Sequence, residues 1–420
     1  MAIAVRDFFR LIGNLIWSGL TIATRSLSGI LVTKFIAMWF GAAGLAIFAH
    51  FQNLIVLFVQ IPQEGINRGL ITILAREEDR KQASGWFSMA LMLTGACLLA
   101  SFLLLLLGKS WFFRHLPTEE LSVWLVLGGF AAMMLTFLFQ SLLIARSKLI
   151  AYFLGSLLGS GAIVLAVWLS SSRVEAVTGS IAAWIFGLGL LGFFSLGFAY
   201  LFRVVPGLSS KLPEGGLLHF GQYLLMALIS VLASRGIDFV VRDMALSQSG
   251  AVETGIWQGA VRLSEGYMLL FAGITSAVVY PRIAALLDER EALLRYLRQV
   301  FVLILPLAAI CLLLIFLFRE TWLELLLSSQ LRVARVYVPG YVLADAFLIP
   351  SWLLAFTLLA ARKTVHYLLL QAIPAIVYLS LVWLRLPGAG PEVIVEAYLV
   401  RALLFSLICG ILSWRLLRKP

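Results

Sequence analysis

The sequence predicts an all-α polytopic membrane protein, from its composition and from the length of its apolar runs. Of the 420 residues, 62% are hydrophobic and only 13% are charged, whereas soluble domains carry about 25% charged residues. The apolar residues also form runs of about 20, the length at which a helix crosses a ~30 Å hydrocarbon core; residues 121–144, 179–201 and 301–318 are examples. Because a helix satisfies its own backbone hydrogen bonds in lipid, we expect helices along the whole chain.

About 12 transmembrane helices are predicted. They cover residues 11–40, 44–75, 84–107, 121–145, 150–170, 179–202, 217–247, 250–284, 299–318, 333–360, 365–385 and 393–414. The first, second, seventh and eighth spans are long, and each contains charges or prolines that a helix facing lipid would avoid. These four helices are therefore expected to face polar surroundings.

The distribution of basic residues predicts the orientation. The net charge is +11. With a cytoplasmic N-terminus, the cytoplasmic loops and ends hold 18 Lys and Arg residues and the opposite loops hold 7. Since cytoplasmic loops are enriched in Lys and Arg, this bias predicts that both termini lie in the cytoplasm and that the number of spans is even. The basic residues lie in short loops rather than on a soluble face, so no nucleic-acid partner is expected.

Several classes of site are not expected. Cys97, Cys311 and Cys409 lie inside apolar runs, as small core residues do. The four histidines are scattered without metal-ligand spacing, and neither a phosphate-binding loop nor a dinucleotide-binding glycine motif is present. We therefore expect no metal, no cofactor and no nucleotide-binding domain.

An internal repeat predicts two lobes. The first span carries Arg25, followed by a glycine-containing turn at 41–44; the seventh carries Arg235, followed by a turn at 247–252. A shift of about 210 residues superposes these features, and six helices separate them. This predicts two six-helix lobes, residues 1–210 and 211–420, related by a parallel pseudo-two-fold repeat as in many transporters.

Charged residues within the predicted spans are the candidate binding residues, since each costs several kcal/mol if it faces lipid. Helical spacing places Arg235, Asp238 and Arg242 on one stripe, and it pairs Glu64 with Arg68 and Arg262 with Glu265. The charges concentrate on helices one, two, seven and eight. They predict a net positive cavity for an anionic substrate, with the candidate contacts Arg25, Lys34, Arg68, Arg235, Arg242 and Arg262.

Three acidic residues, Glu64, Asp238 and Glu265, are the candidates for gating or ion coupling, because acids deep in transporters relay protons. Structural roles remain alternatives. The pairs Glu64–Arg68 and Asp238–Arg242 can simply neutralise each other, and Lys34 can extend to the membrane interface. The polar segment 60–68, which contains Pro62, predicts an irregular helix that lines a cavity or is only kinked.

Several short segments carry a resemblance to a known family. They are 41–45 (GAAGL), 51–55 (FQNLI), 65–69 (GINRG), 225–229 (LMALI), 255–259 (GIWQG), 263–267 (LSEGY) and 280–281 (YP). In these segments the chain resembles Wzx-type polysaccharide flippases of the multidrug/oligosaccharidyl-lipid/polysaccharide exporter superfamily, in particular those that serve enterobacterial common antigen synthesis.

The resemblance implies two six-helix lobes around a central cationic cavity. It implies movement of an undecaprenyl-pyrophosphate-linked oligosaccharide from the cytoplasmic to the periplasmic leaflet, with membrane lipid and polysaccharide polymerase machinery as partners. Glu265, Arg25 and Lys34 match an acid and two basic positions of the family, whereas Arg68, Arg235 and Asp238 do not.

Two other functions are alternatives. A cation-coupled multidrug exporter of the same superfamily would be expected to have an acidic or aromatic cavity, and the predicted cavity is basic. A membrane oligosaccharide polymerase or ligase would need a large outer loop, and every predicted outer loop is short. A transporter rather than an enzyme is therefore expected.

Overall fold

The computed structural model describes residues 2–75, 77, 79–115, 123–174, 176–275, 279–287, 289–361 and 364–418. Arg76, Arg362, Lys363 and Lys419, which are among the 18 basic residues counted above, lie outside this part of the chain. Helices dominate the described residues. They are α1 (Ala2–Pro62), α2 (Arg68–Leu74), α3 (Arg80–Leu107), α4 (Lys109–Phe112), α5 (Val123–Ala145), α6 (Leu149–Ser171), α7 (Val177–Leu201), α8 (Gly216–Val231), α9 (Ile237–Ile274), α10 (Tyr280–Ala285), α11 (Arg290–Leu317), α12 (Arg319–Leu326), α13 (Val338–Ala360), α14 (Thr364–Arg385) and α15 (Glu392–Arg418).

The predicted all-α membrane fold is confirmed. Ten continuous helical stretches of the described residues are long and apolar enough to span a membrane, and two of them contain 59 and 54 residues. Each long stretch is interrupted at one glycine, Gly41 with φ 64° and Gly250 with φ 75°, so each forms two spans. Glycine adopts positive φ without the strain that a Cβ causes. The two breaks are 209 residues apart, close to the predicted shift of about 210.

The polar segment 60–68 is irregular, as predicted. A π-helical segment, Gln63–Asn67, follows Pro62 and precedes α2. Pro62 has no N–H to continue the α-helical hydrogen bonding, and π-helical turns are frequent at functional sites. A second π-helical segment, Leu232–Gly236, separates α8 from α9.

The chain divides into two compact units. Unit 1 comprises residues 1–40 and 50–235, and unit 2 comprises residues 41–49 and 236–420. The lobe boundary between residues 210 and 211 stays a prediction.

The core of unit 1 supports the polar segment. Leu70, Phe87, Leu138, Leu142 and Phe220 belong to one buried cluster. In lipid, helices associate through close contact rather than through a hydrophobic driving force, and small residues permit that contact. Helices α6 and α7 are an example, because a Cβ at Gly159 would lie 2.6 Å from the Leu191 Cα.

Unit 2 has its own close contact and its own core. A Cβ at Gly255 would lie 1.8 Å from the Ala42 carbonyl oxygen, so the turn after Gly41 packs directly on α9. The core includes Ile283, Leu297 and Leu353. This close contact holds the middle of α9, which carries several candidate site residues.

Ion pairs connect α12 with the 3-10 segment Ser329–Val336. Arg335 pairs with Glu320 at 2.5 Å, and Arg332 pairs with Glu324. The hydrogen bond to Glu324 raises the pKa of the exposed Arg332 guanidinium. These pairs lie in a connecting segment, so we treat them as part of the loop structure.

Candidate functional site

Unit 1 contains a polar pocket with a volume of about 190 Å³. It lies where α1, the π-helical segment, α2, α5 and α6 meet. Its lining combines charged, amide, hydroxyl and apolar side chains. The lining residues are Arg25, Gln63, Glu64, Asn67, Arg68, Ile71, Phe137, Gln140, Ser141, Ile144 and Tyr152.

The Arg25 guanidinium lies at this pocket and is half-buried. Its Nη1 donates to the Tyr152 hydroxyl at 3.2 Å, and its Cζ lies 5.4 Å from the centre of the Phe137 ring. Within the described part of the chain, no carboxylate forms an ion pair with Arg25. The positive charge is therefore positioned by neutral groups and is available to an anion.

Thr21, Arg25 and Ser28 lie three and four residues apart on one face of α1, a polar stripe that packs partly against α6. The Ser28 hydroxyl donates to the Ser160 carbonyl at 3.2 Å, and the rings of Trp17 and Phe153 are 5.4 Å apart. The Thr21 hydroxyl donates to the Trp17 carbonyl oxygen, one turn earlier on the same helix, at 2.8 Å. Thr21 and Ser28 therefore have structural hydrogen bonds, whereas Arg25 lines the pocket.

A chain of polar contacts connects Arg235 to the pocket. The Arg235 Nε donates to Gln60 Oε1 at 3.3 Å, and Gln60 Nε2 donates to Glu64 Oε1 at 2.9 Å. Glu64 also pairs with the exposed Arg68 at 3.6 Å. The predicted Glu64–Arg68 pair is thus present, and it lines the same pocket as Arg25.

Two amide side chains of the pocket are almost completely buried. Asn67 is 5% exposed and Gln140 is 2% exposed. Gln140 Nε2 donates to the Ser195 hydroxyl at 3.2 Å. Asn67 Oδ1, by contrast, is a buried acceptor that receives no hydrogen bond from the described residues.

In unit 2, a completely buried carboxylate lies among hydroxyl groups. Asp345 on α13 is 0% exposed. It accepts hydrogen bonds from Ser264 at 2.6 Å, from Tyr267 at 2.5 Å and from Tyr398 at 3.1 Å. Burial alone would disfavour the charged carboxylate, and the three hydroxyl donors stabilise it. Asp345 and its donors therefore form a polar site among otherwise apolar helices.

Asp238 and Arg401 form a second polar contact of unit 2. Their charged atoms are 3.6 Å apart, and both side chains are about one quarter to one third exposed. The Arg401 Cζ also lies 5.4 Å from the centre of the Tyr378 ring. Sequence spacing suggested Arg235 and Arg242 as neighbours of Asp238, and it did not suggest Arg401, which lies on a distant helix.

The remaining predicted residues of unit 2 have different surroundings. Arg242 is 4% exposed; its Nε donates to Gln258 at 2.9 Å and its Nη1 to the Ala49 carbonyl at 3.5 Å. Arg262 and Glu265 form the predicted pair at 3.2 Å, and Glu265 is exposed. Arg242 therefore ties three segments of unit 2 together, while the Arg262–Glu265 pair is accessible.

The structure brings only some of the predicted residues into one site. Arg25, Glu64 and Arg68 line the pocket of unit 1, and Arg235 reaches it through Gln60. Lys34 is half-buried and does not line this pocket. The other predicted residues belong to unit 2.

Sequence analysis missed Asn67, Tyr152 and Asp345 as site residues. Asn67 lies in the polar segment that was singled out, so a signal for it existed. Asp345 is a charged residue within the predicted span 333–360, which was also a signal, but its hydroxyl partners lie on other helices. Tyr152 had no signal, because its partner Arg25 lies far away in the chain. Among the described residues, no group of three or more His, Cys, Asp or Glu side chains is placed to hold a metal.

Known proteins of similar sequence and structure are membrane transporters. No family model matches the chain. The lipid III flippase of Escherichia coli strain K12 is 25% identical over 416 residues, which cover 95% of this chain and 98% of that protein.

Solved structures give the same fold. An inward-facing multidrug resistance MATE family transporter of the MOP superfamily has a TM-score of 0.75 at 16% identity, with 94% of this chain and 95% of that chain covered. The lipid II flippase MurJ, in an inward closed conformation, has a TM-score of 0.72 at 12% identity, with 94% and 87% covered. The chain is therefore a membrane transporter, not an enzyme, with the fold of the MOP superfamily.

Proposed function

We propose that this protein is a flippase that moves an undecaprenyl-pyrophosphate-linked oligosaccharide from the cytoplasmic to the periplasmic leaflet of a bacterial inner membrane. The observation that carries the proposal is the similarity to a lipid III flippase along almost the whole of both chains. The polyprenyl tail stays in lipid while the head group crosses by alternating access, for cell-surface polysaccharide synthesis.

Arg25 would bind the pyrophosphate. Its guanidinium has no carboxylate partner among the described residues, and Tyr152 and Phe137 orient it towards the pocket. Arginine binds phosphate oxygens through two parallel hydrogen bonds, and a half-buried position strengthens such contacts relative to water. Arg68, exposed at the rim of the pocket, adds a second positive charge.

Ion coupling would involve Asp345 in addition to the predicted Glu64, Asp238 and Glu265. Asp345 is completely buried and held by three hydroxyl groups, whereas Glu265 is exposed and paired with Arg262. When a buried carboxylate binds or releases a cation, no bulk water compensates the change in its charge, so the free energy of the surrounding structure changes more than it would around an exposed carboxylate. This contrast supports Asp345 as the coupling carboxylate of unit 2.

Reconstitution tests the proposed function directly. Purified protein is placed in liposomes with a lipid-linked oligosaccharide that carries a fluorophore on its sugar, and a membrane-impermeant reductant is added outside. Protein-dependent loss of the inner-leaflet fluorescence is the expected result. A rate equal to that of protein-free liposomes, with protein shown to be folded and inserted, would reject the flippase.

A multidrug exporter is the second candidate, because a MATE family transporter gives the TM-score of 0.75. The same vesicles discriminate between the two. An exporter of organic cations would accumulate a fluorescent cation in response to an ion gradient and leave the labelled lipid unmoved. The positive charge of Arg25, which has no carboxylate partner in the described part of the chain, favours an anionic substrate over a cationic one.

A further inference from the structure

A long apolar run fixes the depth of helix α11 in the membrane. Residues 300–317 carry no charged, amide or hydroxyl side chain. At 1.5 Å per residue this run is about 27 Å long, close to the ~30 Å hydrocarbon core of a bilayer. Because charged side chains are costly inside the core, Arg298 and Arg319, which lie just beyond the two ends of the run, are at the level of the lipid headgroups.

One side of α11 faces lipid along this run. Val302 is 69% exposed and Leu303 is 72% exposed. On the other side, Leu293, Leu297 and Val300 pack in the core of unit 2. Exposed side chains in so apolar a run contact the acyl chains of the bilayer.

Two arginines continue the lipid-facing side towards the end of α11 that is predicted to be cytoplasmic, called the inner end below. Arg295, Arg298 and Val302 follow at intervals of three and four residues, so they share one face of the helix. Both arginines are exposed. Their guanidinium groups therefore lie beside the headgroups of the same lipids whose acyl chains contact Val302 and Leu303.

The charges of these two arginines are not compensated by a described carboxylate. Glu289 and Glu291 are the nearest described acidic residues in the sequence, and neither forms an ion pair with Arg295 or Arg298. Asp288 lies outside the described residues. Within the described part of α11 and its surroundings, both guanidinium groups are therefore available to an anion from the membrane.

The two ends of α11 differ in this respect. At the inner end, the exposed Arg282 of α10 interacts electrostatically with Tyr296 of α11, so a third positive charge lies in the same region. In the connection that follows the outer end, Arg332 and Arg335 each form an ion pair with a glutamate. The inner end thus presents positive charge to the lipid headgroups, whereas these outer arginines are neutralised within the protein.

We propose that Arg295 and Arg298 form a binding site for the phosphate of an anionic phospholipid, whose acyl chains contact Val302 and Leu303. Guanidinium groups bind phosphate oxygens through parallel hydrogen bonds, and basic residues at the membrane surface attract anionic lipids. A zwitterionic lipid is held less firmly because its ammonium group cancels the charge of its phosphate. The inference does not depend on the proposed function, since the site lies on the outside of α11 and not in the pocket of unit 1.

Competition between lipids at the inner end of α11 tests the site. A fluorophore is attached to Leu294→Cys, an exposed position next to Arg295, in the full-length protein without its three native cysteines. The protein is placed in phosphatidylcholine nanodiscs in which a small fraction of the lipid carries a quenching spin label near its headgroup. This labelled lipid is either phosphatidylglycerol or phosphatidylcholine. The apparent local concentration of the labelled lipid should be about fivefold higher for phosphatidylglycerol, the scale of one arginine beside an anionic headgroup.

Paired variants locate the effect. Arg295→Gln with Arg298→Gln should lower the ratio of the two local concentrations to about one. Arg415→Gln with Lys211→Gln removes the same charge from other exposed positions that are predicted to be cytoplasmic, and it should keep the ratio. Arg295→Lys with Arg298→Lys keeps the charge but loses the planar fork, so its ratio should be intermediate. If the glutamine double variant does not fold, the two single variants decide, and each should lower the ratio by about half.

Three outcomes would overturn the lipid site. The first is a ratio of one in the unmodified protein. The second is a raised ratio that survives in the Arg295 and Arg298 glutamine variant or falls equally in the control variant, because the preference would then come from the overall surface charge. The third is loss of the raised ratio when millimolar inorganic phosphate is added, which would identify a site for free phosphate. None of these results would affect the proposed flippase function.

Discussion

Arg401 on α15 lies 3.6 Å from Asp238 on α9, although 163 residues separate them in the chain. The guanidinium also lies over the Tyr378 ring, so three helices of unit 2 meet at this contact. The same carboxylate had been assigned to local partners on its own helix from spacing alone. Because the observed partner of Asp238 is Arg401, the informative double variant combines changes at these two residues.

We expect Asp238 and Arg401 to be energetically coupled. A double-mutant cycle of Asp238→Asn and Arg401→Gln should give a coupling free energy of about 0.5–1.5 kcal/mol, above the usual value for fully exposed pairs because both groups are partly buried. Reversible unfolding in detergent measures it. The exposed Arg385–Glu396 pair is the matched control and should give less coupling; equal values for the two cycles would contradict the prediction.

Arg25 should be the most sensitive residue of the pocket. Arg25→Ala should lower the initial transport rate about tenfold to hundredfold, since one charge-assisted contact is worth about 1.5–3 kcal/mol. Arg25→Lys keeps the charge but loses the planar fork, so its rate should be intermediate. Tyr152→Phe removes only the 3.2 Å hydrogen bond that orients Arg25, so it should lower the transport rate less than Arg25→Ala does. Full activity of Arg25→Ala in liposomes would remove Arg25 from the substrate site.

Asp345 and Glu265 should respond differently to neutralisation. Asp345→Asn keeps the shape of the side chain but cannot exchange a proton or bind a cation as a carboxylate, so transport should lose its dependence on the ion gradient. Glu265→Gln, at an exposed carboxylate, should reduce transport and keep that dependence. Rates are compared with and without an imposed gradient. A normal gradient response in Asp345→Asn would exclude Asp345 from coupling.

Gly255 should tolerate no larger side chain. Gly255→Ala places a Cβ 1.8 Å from the Ala42 carbonyl oxygen, so the backbone must move at a cost of about 1–3 kcal/mol. Gly266→Ala on the same helix meets nothing within 4 Å and should be neutral or slightly stabilising. Thermal melting of the two variants provides the comparison, and similar melting temperatures would contradict the packing seen in unit 2.

Cysteine labelling tests the orientation. Ser84 and Ser328, at a predicted inner and a predicted outer loop, are each only 9% exposed. Better positions are the exposed Gln82, close to Ser84, and the exposed Gln248, in another predicted outer loop. In a protein without its three native cysteines, Gln248→Cys should react with an impermeant reagent in intact cells and Gln82→Cys only after lysis. The reverse pattern would place the termini outside.

The sequence alone determined the fold class and part of the site. In lipid, an apolar run of about 20 residues can satisfy all of its own backbone hydrogen-bonding groups as a helix. The helices lie close to where they were predicted. The glycine turns at 41 and 250 and the polar segment 60–68 were visible because glycine, proline and polar residues stand out in apolar surroundings. Glu64–Arg68 and Arg262–Glu265 were predictable because each pair lies within one helical turn.

Contacts between distant helices were decided only by the tertiary structure. Asp345 is surrounded by hydroxyl groups from α9 and α15, Arg25 is oriented by residues of α5 and α6, and Asp238 meets Arg401. Helical periodicity fixes which side chains share a face of one helix, but it contains no information about which face of another helix lies opposite. That choice depends on the packing of whole helices, through close contacts such as the one between Gly255 and Ala42.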